Sequence, residues 1–216
     1  MDQKTDAAAG YMTEERRMIR ESAREFAMKE VFPVANELDP IQGDIPMALR
    51  QKLADMGYFG ILTSEDLGGL GLGCFEYCLV TEELSRAWMS VGSIIRQGNR
   101  TPRAQFMSDA DWRERSRRAS RGEYLGALAM SEPHTGSDIS GIKTRAVRDG
   151  NDWLITGAKC WCTFADGADY ITVIARTGQG EEDRRHVGLT AFLLDKERRS
   201  EEHTSELQSL RHLVCR

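Results

Sequence analysis

No apolar run in this sequence approaches the roughly 20 residues that a membrane-spanning helix needs, and the N-terminus has no apolar core of the kind a signal peptide carries. The chain is therefore expected in the cytoplasm or a comparable reducing compartment. Basic stripes interleaved with aromatics are missing as well, and the net charge of −5 argues against nucleic acid as a partner. The one arginine-rich run, Arg113 to Arg121, reads as a solvated helix face. Cysteine is sparse and odd in number: Cys74, Cys78, Cys160, Cys162 and Cys215. With no export signal, that count argues against a disulfide framework, and the spacing suits no structural zinc site. Buried, reduced thiols and no metal are expected. There is no internal repeat. The glycine-rich stretch Leu67 to Gly73 lacks the strand before and the helix after that a dinucleotide-binding fingerprint requires, so it reads as a flexible, turn-rich connection.

What is present is enough for a sizeable core: 216 residues, 40% apolar and 29% charged. The first half reads as helices. Thr13 can cap a helix with Glu14 and Glu15 in its first turn, and Ile19, Ala23, Phe26, Ala27 and Val31 keep a helical period until Pro33 and Pro40 close it. Pro46 suits a first helical position, with Leu49, Leu53 and Met56 as a stripe and Gly57 as a stop. Phe75 to Trp88 reads as a further helix. Ile94 and Ile95, near the end of this half, are candidates for an exposed apolar face.

After about Glu123 the texture changes to strands: Tyr124 to Met130, Ile142 to Arg148, Trp153 to Thr156, Tyr170 to Ala175 and Gly188 to Leu194, with Asp149 and Gly150 marking a hairpin. Helices first and strands afterwards predict an α+β chain of two segregated domains with a boundary near Gly122. Residues 198–216 fit neither half. Their string Ser200 to Ser209 resembles translated sequencing-adapter sequence, so this segment is expected to be a non-native, disordered tail in which His203 and His212 bear no function.

Chemistry is most legible between Leu128 and Asp138. A strand runs into a turn with Pro133 and Gly136 that displays Ser131, Ser137 and several backbone N–H groups, an arrangement suited to a phosphate or to the pyrimidine side of a flavin. The same residues also make ordinary capped turns. Some twenty-five residues on, Trp161, Cys162 and Thr163 are expected to close a strand, with the ring and the hydroxyl on one side; an aromatic there can equally be core.

Met130-Ser131-Glu132-Pro133 followed by Gly136-Ser137-Asp138 resembles the acyl-CoA dehydrogenase signature, a Thr- or Ser-Glu-Pro followed by Gly-Ser-Asp. Trp161-Cys162-Thr163 is similar to that family's Trp-Ile-Thr segment, and Gly157-Ala158-Lys159 to its Gly-x-Lys. Upstream, Glu65 to Gly71 resembles its Glu-Tyr-Gly-Gly-Leu-Gly loop, and Glu82 to Arg86 its acidic helix. The resemblance spans roughly residues 12 to 196 and implies an N-terminal all-α domain (1–122), a small β-barrel-like middle domain (123–197) and a C-terminal helical bundle that is missing.

The resemblance further implies FAD as cofactor, held by Leu128, Ala129, Met130, Ser131, Gly136, Ser137, Trp161, Cys162 and Thr163. Trp161 would pack on the flavin, Thr163 would stand near its N5, and Ser137 would also face the pantetheine arm of an acyl-CoA substrate. The implied reaction is α,β-dehydrogenation to a 2-enoyl-CoA, with an electron-transfer flavoprotein as partner and a homotetramer or homodimer as the full-length parent. Glu132 and Asp138 support the turn in the family, so no catalytic residue is expected here; the base would lie in the missing domain, leaving this chain inactive alone. The alternatives are an acyl-CoA oxidase or flavin monooxygenase on the same scaffold, or a non-catalytic remnant.

Overall fold

The computed structural model describes residues 10–105, 107–179 and 184–195, together with the backbone of 213–215. The chain divides into a helical unit through Glu123 and a sheet unit from Tyr124 onward.

In the helical unit, α1 (Glu14–Phe26) starts where expected: the Thr13 hydroxyl accepts from the Arg16 amide at 3.3 Å, with Glu14 and Glu15 facing the positive end of the helix dipole. Its buried stripe is Ala23, Ala27, Val31 and Ala35. Pro33 does not close it. A π turn (Ala27–Val31) leads directly into α2 (Phe32–Leu38), and Pro33 falls in the first turn of α2, so the helical run continues through it. Helix α3 (Met47–Asp55) has Pro46 as its cap rather than its first residue, and Gly57 at φ 73° ends it.

Helix α4 (Cys74–Ala87) is tied to α1 by charge. Arg24 grips Glu83 through two bonds of 2.9 and 3.0 Å, and Arg16 donates to Glu76 at 2.6 Å. Cys74 and Cys78 are exposed, which corrects the expectation of buried thiols: the inward face of α4 is carried by Leu79, Val80 and Leu84, leaving both cysteines on the solvent side. A break at Trp88 (φ −157°) starts α5 (Met89–Gly98), a helix the sequence pattern did not announce. It buries Val91, Ile94 and Ile95, so the two isoleucines are core and not an exposed face. The glycine-rich connection is tied down by backbone hydrogen bonds. Leu70, Gly71 and Leu72 donate to Gly60, Thr63 and Ile61 at 2.8–2.9 Å, and a Cβ on Gly69 would lie 2.1 Å from the Thr63 carbonyl oxygen. Helix α6 (Asp109–Ser120) buries Ser116, Ala119 and Ser120; Arg118 is exposed and Arg113, Arg115 and Arg117 are half-buried, Arg113 meeting Asp66 at 2.5 Å.

Among the described residues the sheet unit is one mixed six-stranded sheet. β1 (Gly126–Ala129) runs parallel to β4 (Tyr170–Arg176), and β4 pairs antiparallel with β5 (Leu189–Asp195). β2 (Arg145–Asp149) and β3 (Asp152–Thr156) form a hairpin turned by Gly150 at φ 59°. β6 (Leu213–Cys215) pairs antiparallel with β3, which corrects the expectation of a wholly unstructured tail; the rest of that segment lies outside the described residues. Three edge residues suffice for β6 because the unpaired N–H and C=O groups of β3 are satisfied by any extended backbone. The core packs Ala127, Ala129, Ala146, Ile155, Ile171, Val173, Ala175 and Leu194, and β4 supplies it through strict alternation. No helix among the described residues is long and apolar enough to cross a membrane.

Candidate functional site

Past Ala129 the chain leaves β1 and folds back on itself. Glu132 and Thr135 exchange backbone bonds at 2.8 and 3.1 Å, and the Thr135 hydroxyl donates to the Asp138 carbonyl. Beneath this turn lies a carboxylate–ammonium pair shut off from solvent: Lys159 is 1% exposed and Glu132 4%. The Lys159 Nζ donates to Glu132 Oε1 and to the Met130 carbonyl, both at 2.9 Å. Glu132 also accepts the amides of Lys143 at 2.7 Å and Thr144 at 2.9 Å, and His134 Nε2 stands 3.3 Å from its other oxygen. Burial alone would raise the Glu132 carboxyl. Hydrogen bonds from Thr144, from the Lys143 amide and from the Lys159 ammonium outweigh it and hold the group at about 2. Burial lowers Lys159 from its ordinary value, and Glu132 opposes that.

Lys159 also brings in the second predicted segment. Its neighbour Cys160 donates its amide to the Ser131 carbonyl at 3.0 Å, so Trp161 to Thr163 lie alongside the turn. They do not close a strand. β3 ends at Thr156, and burial of Lys159 under the turn draws the backbone out of the sheet, leaving Trp161 at φ 58° and Phe164 at φ 65°. A bulky residue in the left-handed region stores about 1–3 kcal/mol. Trp161 is nonetheless 87% exposed, so burial of its ring does not repay that strain.

The sequence-predicted residues therefore sort by environment. Ala129 is buried in the core and can offer a ligand only its backbone, whereas Leu128, Met130, Ser131 and Cys162 are half-buried and Gly136, Ser137, Trp161 and Thr163 exposed. The hydroxyls of Ser131, Ser137 and Thr163 and the amides of Gly136, Ser137 and Asp138 bond to nothing among the described residues. An exposed indole beside unspent donors suits a flat aromatic ligand rich in acceptors. Asp138 is engaged: the Ser140 hydrogen bond, then Arg185 at 3.1 Å, hold its carboxyl below the usual range. In the sequence Lys159 is visible only as the last residue of Gly157-Ala158-Lys159, because no local pattern marks a lysine for burial. No three His, Cys, Asp or Glu side chains gather as a metal site among the described residues.

A helical unit followed by a mixed sheet, with this turn at the end of its first strand, defines a class. The chain belongs to the acyl-CoA dehydrogenase family: residues 13–109 match the model described as the acyl-CoA dehydrogenase N-terminal domain, and residues 127–211 match its middle domain. It is 38% identical to (2S)-methylsuccinyl-CoA dehydrogenase of Cereibacter sphaeroides over 87% of this chain and 34% of that protein. It is 37% identical to benzylmalonyl-CoA dehydrogenase of Aromatoleum aromaticum, over 86% of this chain and 48% of that one. The crystal structure of an acyl-CoA dehydrogenase from Geobacillus kaustophilus superposes with a TM-score of 0.74 at 25% identity, covering 95% of this chain and 56% of that one. The chain thus spans a third to a half of the length of the curated relatives named here.

Proposed function

We propose that the chain forms the FAD- and acyl-CoA-contacting wall of an enzyme that carries out α,β-dehydrogenation of an acyl-CoA thioester to a 2-enoyl-CoA. The observation that carries this is Trp161, exposed on a strained backbone beside the unspent donors of the Ser131–Asp138 turn. That donor set fits a flavin, whose ring offers a flat face and a row of acceptors. When bound, FAD supplies the hydride acceptor.

The chain's own residues bind and orient. Trp161 presents its ring to the flavin, and the Ser131 and Thr163 hydroxyls donate to flavin acceptors, Thr163 toward N5. The backbone of Leu128 to Met130 and the half-buried Cys162 line the same wall. The Gly136, Ser137 and Asp138 amides, with the Ser137 hydroxyl, donate to acceptors of the thioester and pantetheine arm. Such donors act by lowering the cost of charge that builds on the thioester carbonyl as its α-proton leaves. Glu132 is not the base: its oxygens are spent on Lys159, Lys143 and Thr144, and at about 2 it is too weak to take that proton. The base is assigned to the helical domain that family members carry after this region. In the complete protein, electrons would leave to an electron-transfer flavoprotein, from a cytoplasmic homotetramer or homodimer.

The test is to join the chain to the helical domain of a relative. A yellow, FAD-bound protein is expected, whereas the 216-residue chain alone is expected to bind FAD weakly or not at all, because this one wall buries little of the flavin by itself. In the joined protein, Thr163→Val should shift the flavin spectrum and weaken FAD by about 0.5–1.5 kcal/mol. A colourless joined protein that is otherwise folded, or an unaltered spectrum in the variant, would overturn these assignments.

A further inference from the structure

Arg176 closes β4, and among the described residues its guanidinium meets no carboxylate. Its donors go to main-chain carbonyls in two separate loops. Nη2 reaches Ser140 at 2.8 Å and Nε reaches Ile142 at 3.3 Å, both on the segment that leaves the Ser131–Asp138 turn. Nη1 reaches Val187 and Nη2 reaches Arg185, both at 3.4 Å, on the connection into β5. Its amide also donates to Thr144 at 2.8 Å. Asp138 repeats the tie between the same two loops, accepting from Ser140 on one side and from Arg185 on the other.

The turn is thus fixed at two anchors. Glu132 holds its entry through the Lys143 and Thr144 amides, and Arg176 holds its exit through Ser140 and Ile142. Ser137 lies between them, with neither its amide nor its hydroxyl bonded among the described residues. Its direction is therefore set by its flanks. A planar guanidinium can serve two loops at once, because its donors diverge in a rigid fork; a lysine ammonium is a compact point donor on a flexible stem.

We propose that Arg176 is the positioning residue of the Ser137 turn, aiming its free amides and hydroxyl at the acyl-CoA arm without touching the ligand. This rests on the assignment of Ser137 given above. The test compares the 216-residue chain with Arg176→Met and Arg176→Lys, following amide exchange and the amide spectrum during titration with butyryl-CoA or FAD. In Arg176→Met, exchange at Gly141 and Ile142 should quicken about tenfold or more, as for a locally released segment. The response of Gly136 to Asp138 to butyryl-CoA should weaken about tenfold, since small misplacement of a binding group costs affinity steeply, while the response of Trp161 to FAD is kept. Arg176→Lys should fall between, and it serves if the methionine variant does not fold.

Unchanged exchange together with an unchanged butyryl-CoA response would overturn the proposal. So would equal loss of both ligand responses with faster exchange throughout β4 and β5, which is the behaviour of a merely structural residue. If the unsubstituted chain shows no butyryl-CoA response, the titration is repeated in the protein joined to a relative's helical domain, where a missing response at Gly136 to Asp138 overturns the assignment of Ser137; exchange at Gly141 and Ile142 still decides whether Arg176 holds the turn.

Discussion

Replacing Lys159 with methionine removes the ammonium from beneath the Ser131–Asp138 turn and keeps most of its volume. Two bonds of 2.9 Å are lost, one to Glu132 and one to the Met130 carbonyl. The carboxylate stays buried with the Lys143 and Thr144 amides as its remaining backbone donors. Breaking a buried ion pair from one side costs about 3–5 kcal/mol. The two amides, and relief of the burial that disfavours the Lys159 charge, bring the expected loss to the lower end, about 3 kcal/mol. Glu132→Gln should cost at least as much, because it strands the ammonium and sets an amide N–H against a backbone donor. The double variant Glu132→Leu with Lys159→Met should lose less than the sum of the two single changes.

The pH dependence has a definite sign. The Glu132 carboxyl falls from 4.5 to about 2 on folding, so its contribution, about 3 kcal/mol, is complete above pH 4.5 and drains away as pH falls toward 2. Urea denaturation of the chain and its variants measures the loss. Exchange of the Lys143 and Thr144 amides locates it, which matters because a chain of two units need not unfold in a single step. A loss below about 1 kcal/mol for Lys159→Met, the magnitude of an exposed pair, would refute the buried-pair account. So would a Glu132→Gln variant that keeps the parent's acid sensitivity between pH 4.5 and 2.

Trp161→Gly should stabilise the ligand-free chain by about 1 kcal/mol, because glycine accepts φ 58° without strain and an 87% exposed ring forfeits little burial. The same change should weaken FAD in the joined protein; destabilisation in thermal melts, or unaltered FAD affinity, would count against the strained-wall reading. Gly69→Ala places a Cβ 2.1 Å from the Thr63 carbonyl oxygen at a site where backbone cannot yield cheaply, and a loss of about 2 kcal/mol or more in urea titration is expected.

Much of the fold follows from local pattern. The order of helices before strands, the Thr13 start of α1 and the five strands β1 to β5 come from periodicity and capping, which depend on neighbours a few residues apart. The turn with Ser131, Glu132 and Ser137 was likewise visible as a motif. Exposure and partnership were not. That Cys74 and Cys78 face solvent while Ile94 and Ile95 are core depends on how α4 and α5 pack, and that Pro33 lies inside a longer helix depends on a π turn that no spacing announces. The site was decided at longer range still. Lys159 meets Glu132 across 27 residues and Arg176 meets Ser140 across 36, and the first of these contacts draws Trp161 out of the sheet onto a strained backbone. A sequence records which side chains can donate, accept or carry charge; which of them are shut from water beside a partner is settled only when the sheet brings distant loops together, because the energy of a charge depends on that enclosure.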